Sequence, residues 1–237
     1  MLDEQLTTEA LGILLDATAT GPGALSCRSW RLEVNGHLLD VYVDGSHRLP
    51  TVDPAARALR IAAGAAVFDL RCAASSLSLD SWFSLCPYRH DPDLLARIVV
   101  EPTGIPDQEL RKLYGALRSR HLIRPPAGPH ETVRRALARA AELENTNLGW
   151  LPVSFAPVAV LSTDRDEPAD QVAAGIALER VLLTAVKYDV AASHLPQPIY
   201  RDELRRCAQE LIGTPGFAQT LVRFGRTTDP IPSTHRR

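Results

Sequence analysis

Residues 53–77 read DPAARALRIAAGAAVFDLRCAASSL. Asp53 stands where an N-cap belongs, and Pro54 occupies the first helical position, where a missing N–H and a fixed φ do no harm. From Ile61 to Phe68 no charge interrupts the run. A helix with so little polar surface is expected to be buried on most sides, so the fold must supply partners around it.

On its N-terminal side, SWRLEVNGHLLDVYVD (29–44) sets two alternating runs around Asn35-Gly36. That pattern predicts a hairpin closed by a two-residue type I′ turn. The register would pair Leu32 with Leu39, Trp30 with Val41 and Arg31 with Asp40, apolar against apolar and plus against minus. Further back, Thr8 to Thr18 suits a short amphipathic helix behind a capping threonine.

On the C-terminal side, SWFSLCP (81–87) and LARIVVEP (95–102) read as strands and Pro106–Arg118 as a helix. A helix HETVRRALARAAELEN (130–145), a strand APVAVLST (156–163) and a long helix over 167–189 follow. A helix over 201–213 and a strand over 217–225 complete the set. Helices and strands mix without β-α-β alternation, which predicts an α+β class. No internal repeat is evident by eye.

The 237 residues are enough for one large domain with a sizeable core. A net charge of −2 gives no positive field to hold nucleic acid or an anionic membrane, so a small ligand is expected instead. Only Lys112 and Lys187 among the 26 cationic side chains are lysines, a bias that speaks of a GC-rich source and not of function. Cys27, Cys72, Cys86 and Cys207 form no C-x-x-C pair and signal neither zinc nor a disulfide framework. An acidic N-terminus and the lack of a run of about 20 apolar residues lead to a cytoplasmic expectation.

Few short motifs carry chemistry. Gly21-x-Gly23 lacks the third glycine and the preceding strand of a dinucleotide fingerprint and reads as a turn. No G-x-S-x-G elbow occurs. RSRHLIR (118–124) places Arg118, Arg120 and Arg124 together, a set that suits either a bidentate phosphate clamp or a solvated basic helix end.

Several segments, in order, resemble one family. SWRLEV (29–34), LPTVDPAARALRIAAGAAVFDLRCA (49–73), VAVLSTD (158–164), AGIALERVLLTAVKYDVAASHLPQP (174–198) and LVRFGRTTDPIPSTHRR (221–237) are similar to the actinobacterial Acg-type branch of the nitroreductase-like flavoproteins. The resemblance implies an α+β nitroreductase-like fold, an antiparallel sheet flanked by helices, with FMN in a groove at a dimer or dimer-like interface. In that branch two such halves share one chain, so the expectation is a single domain over 1–237, divisible into halves 1–115 and 116–237.

The family loop before the hairpin runs P-S-x-H-N-T-Q-P-W. Here Pro22 and Trp30 match it, while Leu25, Ser26 and Arg28 stand at the polar positions. A second family segment, R-R-x-T-N-R-R-P-F, falls on SRHLIRPPA (119–127): Arg120 and Arg124 match, Leu122 and Ile123 do not. One donor lost to a phosphate costs about 1.5–3 kcal/mol, one to two orders of magnitude in affinity. The chain is also shorter between Arg124 and Val158 than the family's second half.

The resemblance thus implies FMN, with contacts from Ser26, Arg28, Arg120, Arg124, Ser193, His194, Gln197 and Arg236. It implies two-electron hydride transfer from NAD(P)H or a reduced substrate to a small organic molecule, with no obligatory catalytic acid and no metal. It also implies a homodimer burying the helices Pro54 to Leu77 and Pro168 to Tyr188. Two other functions stand beside the oxidoreductase: a flavin-sequestering binding protein, and a repurposed fold that has lost FMN and runs a cofactor-free reaction in specialised metabolism.

Overall fold

The computed structural model describes residues 6–20, 30–47, 53–103, 105–119, 128–152, 157–195, 201–213 and 215–225. In chain order the elements are α1 (Thr8–Ala17), β1 (Trp30–Asn35), β2 (Leu38–Val43), α2 (Arg57–Ser76), β3 (Leu79–Leu85), β4 (Leu94–Pro102) and α3 (Gln108–Ser119). Then come α4 (Glu131–Glu142), β5 (Asn147–Trp150), β6 (Val158–Thr163), α5 (Pro168–Lys187), β7 (Ala192–Leu195), α6 (Asp202–Ile212) and β8 (Phe217–Phe224). The class is α+β, with antiparallel pairing throughout.

Not one sheet but two are present among the described residues, ordered β1-β2-β4-β3 and β5-β6-β8-β7. Each is a set of four strands with a long helix, α2 or α5, inserted after the second strand. Each also carries a register shift in its second strand, at Val41/Tyr42 and at Leu161/Ser162. The chain therefore holds a structural repeat that a reading by eye passes over. Its trace in the sequence is Ile61-Ala-Ala-Gly64 against Val172-Ala-Ala-Gly175.

Those two short runs are where α2 and α5 cross. A Cβ on Gly64 would overlap the Val172 carbonyl oxygen and stand 2.9 Å from Gly175 Cα. A Cβ on Gly175 would overlap the Ile61 carbonyl oxygen and stand 2.9 Å from Gly64 Cα. The exchange is reciprocal, as at a twofold axis, and Arg60 meets Gln171 beside it at 2.8 Å. The crossing also explains the uncharged stretch from Ile61 to Phe68, which is buried between the first sheet and α5.

The helix pair joins two cores. Under the first sheet, Leu39, Val41, Ile98 and Phe68 pack with Val172, Ile176 and Leu183 of α5. Under the second, Leu161, Val222, Phe224 and Leu137 pack with Ile61 of α2. The helix faces expected to meet a second copy in a homodimer are instead closed on each other within one chain.

Three local expectations change. The hairpin turns at Gly36-His37, not Asn35-Gly36, so Val34 faces Leu39, Leu32 faces Val41 and Trp30 faces Val43. Only Gly36 takes a positive φ, 61°, as a type II′ turn requires, whereas type I′ would need two such residues. Arg31 then lies over the Tyr42 ring at 4.2 Å, and Asp40 pairs with Arg97 of β4 at 2.7 and 2.6 Å. Helix α2 starts at Arg57, beyond a turn in which Ala56 has φ 51°. The Asp53 carboxylate still caps it, accepting from the Arg57 and Ala58 N–H groups at 2.9 and 2.8 Å. Finally, β5 and β7 were not anticipated as strands.

Since the two backbones leave no room for a side chain, Gly175→Ala is expected to lower unfolding free energy by about 3 kcal/mol or more, the upper part of the range for overpacked cores. Gly12→Ala, where nothing lies within 4 Å of the added Cβ, should leave stability unchanged or slightly raised. Urea unfolding of both variants checks this.

Candidate functional site

At the N-terminal ends of the crossed helices a polar cluster gathers four elements. Arg57 of α2 donates Nη1 and Nη2 to Asp166 Oδ1 and Oδ2 at 2.7 and 3.0 Å. From α6, Arg205 donates to the same carboxylate at 2.5 Å and to Asp202 at 2.9 Å. Gln219 of β8 donates to Asp166 at 3.0 Å and to Thr163 at 2.7 Å, while its amide oxygen accepts from Arg57. Burial alone would raise the Asp166 carboxyl, yet the donors from Arg57, Arg205 and Gln219 outweigh it and hold the group well below the usual carboxylate range.

Beside this cluster a cleft of about 400 Å³ opens between α6 and the start of β8. Asp202, Arg205, Arg206 and Gln209 form one wall, Gly216, Phe217 and Ala218 the other. Charged groups and an exposed aromatic ring meet across it.

A second polar cluster lies inside the molecule. Glu144, at the end of α4, accepts from Arg71 at 3.0 and 3.1 Å and from Arg180 at 2.7 Å. Both guanidiniums stack on Phe68, at 5.5 and 5.0 Å, and Arg71 also covers Phe83 at 4.7 Å. Cys72 is fully buried nearby, and burial pushes its thiol well above the ordinary value, which leaves no thiolate for chemistry. This cluster ties α2, α5 and the end of α4 together.

Of the residues the resemblance places near a flavin, Ser26, Arg28, Arg120, Arg124, Gln197 and Arg236 lie outside the described residues. Ser193 and His194 are in β7 and point to opposite faces of the second sheet. Ser193 shares the face of Leu195, which packs toward α6. His194 turns to the α5 face, 9% exposed, with Nε2 2.7 Å from Thr220 Oγ1 and Nδ1 without a partner. Burial lowers its pKa to about 4, so it is neutral at physiological pH. Arg118 is exposed on the last turn of α3. The cluster around Asp166 was missed by reading the sequence, although Arg57, an arginine at the head of an apolar helix, was its visible sign.

Among the described residues no group of three or more His, Cys, Asp or Glu could hold a metal, and no helix is long and apolar enough to cross a membrane. Compared with known proteins, the chain matches no family model, and no curated sequence is significantly similar to it.

Two pH effects follow. The depressed Asp166 carboxyl contributes stability that is complete above about pH 4 and is lost as pH falls toward its folded value. Asp166→Asn should therefore cost about 1.5–3 kcal/mol at pH 7, and the gap to the parent should close in strong acid. His194 has a folded pKa below its unfolded value, so the unfolded chain binds the extra proton and stability falls as pH drops from about 6.5 to about 4. The full window corresponds to about 3 kcal/mol, and His194→Gln should flatten it in urea unfolding at pH 7, 5.5 and 4.5.

Proposed function

We propose that the chain is a nitroreductase-like oxidoreductase that binds FMN, built as two halves within one chain. The observation that carries the reading is the pair of four-stranded antiparallel sheets of the same strand order, joined by the α2–α5 crossing. The reading is supported because the resemblance implies two halves in one chain, and the helix crossing would serve as the intrachain counterpart of a dimer interface.

The support for a phosphate end is the arginine run 118–124 itself. Arg118 presents an open guanidinium at the head of the 118–124 run, and Arg120 and Arg124 would grip a phosphate dianion bidentately. At the ring end, Ser193 is the half-buried candidate, whereas His194 is committed to Thr220. Bound flavin would supply two-electron hydride exchange, and the protein's share is to hold and orient it.

The closed position of His194, together with Leu25, Ser26 and Arg28 at the polar positions of the family motif, favours a second reading: the fold kept after FMN was lost, used for a cofactor-free reaction.

The purified protein decides between them. The first reading expects a yellow protein that releases a compound of FMN mass on heating and oxidises NAD(P)H with a quinone or nitroaromatic acceptor. Replacing both Arg120 and Arg124 by Ala should weaken FMN by about tenfold or more with the melting temperature of the unliganded protein nearly unchanged. A colourless protein that takes up no FMN at high micromolar concentration, even after Leu25→His, Ser26→Asn and Arg28→Gln, overturns it.

A further inference from the structure

We propose that the cleft between α6 and β8 is a binding site for a small organic monoanion with an apolar ring, an aromatic carboxylate being the simplest example. Its volume of about 400 Å³ lies within the range of small-molecule sites, roughly 300–1,000 Å³. The proposal is independent of whether the chain binds flavin.

The charge balance selects an anion. Asp202 lines the cleft, Asp166 stands behind the lining residue Arg205, and Arg205 holds both of them. Arg57 adds a second guanidinium on Asp166. Three guanidiniums against two carboxylates leave one positive charge, and it rests on Arg206, which lines the cleft, is exposed and pairs with no carboxylate among the described residues. A cation would meet only carboxylates that are already neutralised.

Arg205 fixes that wall: its Nη1 donates to Asp166 and its Nη2 to Asp202, which leaves Arg206 as the lining guanidinium that faces a ligand. A carboxylate set against Arg206 would accept two parallel charge-assisted bonds from its planar fork.

The opposite wall selects the ring. Phe217 is 46% exposed at the first position of β8, although the rest of that strand is almost wholly buried. Gly216, with φ 125°, lines the same wall, and a Cβ there would stand 2.8 Å from the Thr163 carbonyl oxygen. An aromatic ligand would stack on Phe217 while its carboxylate faces α6.

Benzoate and phenylacetate are the probes, with benzamide as the neutral ring and acetate as the ringless anion. Titration followed by protein NMR or calorimetry should show that the two aromatic carboxylates bind at least tenfold more tightly than either control. Arg206→Gln and Phe217→Ser should each reduce that binding at least tenfold, with unliganded melting temperature nearly unchanged since both side chains are exposed. Arg135→Gln, exposed on α4 and outside both proposed sites, should not alter it, and FMN uptake should be the same in all three variants. Benzamide binding as well as benzoate, retention of benzoate affinity in both cleft variants, or no binding of either aromatic carboxylate at millimolar concentration overturns the proposal.

Discussion

The approach of α2 to α5 at Gly64 and Gly175 is the constraint on which the other contacts rest. With no Cβ on either side, the two backbones close to a distance at which each helix meets the other's carbonyl. Alanines at positions 62, 63, 65, 66, 173, 174 and 177 keep the flanks thin, so the apolar residues beyond them reach across into the opposite core. Were the helices held apart by one methyl group, Val172 and Ile176 would withdraw from beneath the first sheet and Ile61 from beneath the second. The halves share a core because the crossing is tight.

Close packing of small residues does not by itself fix how far one helix slides along the other. The buried ion pairs do. Arg57 at the start of α2 is bound to Asp166, immediately before α5, and Arg71 near the end of α2 meets Glu144, which Arg180 of α5 also holds. A shift by one turn would strand at least one of these charges in a low-dielectric interior, a loss of several kcal/mol, so the clusters act as stops at the two ends of the pair. Their worth lies in specifying a single arrangement more than in net stability.

The sequence made some of this legible and concealed the rest for physical reasons. The long helices, the hairpin and the antiparallel α+β class could be read because uncharged runs, alternation and turn residues act locally. The hairpin register could not, since Asn35-Gly36 and Gly36-His37 both place a glycine in the turn and differ only in which residue leads. Strand β7 was hidden because four residues, ASHL, carry too little pattern, and its pairing to β8 is a long-range event. Arg57, Asp166, Arg205 and Gln219 come from four separate stretches, and nothing in their spacing announces that they meet. The repeat was concealed by divergence: AAG, preceded by Ile61 or Val172, is the one run of identical letters between the two long helices, and it stands where backbone contact forbids change.

The two halves differ where function would be expected to reside. Between β3 and β4 the chain returns through residues 86–93 without a helix, and the outer face of the first sheet carries the Asp40–Arg97 pair and Arg31 on Tyr42. Between β7 and β8 the second half inserts α6, which covers Val158, Val160 and Leu221, so that β6 is buried along its whole length. Covering a sheet with an amphipathic helix requires only Ala208 and Ile212 on the inner side. It does not require Arg205 to reach the helix-crossing cluster, nor an exposed phenylalanine opposite a second arginine. The insertion therefore brings more than a lid: it links a cleft of mixed chemistry, through one shared guanidinium, to the carboxylate that anchors both long helices.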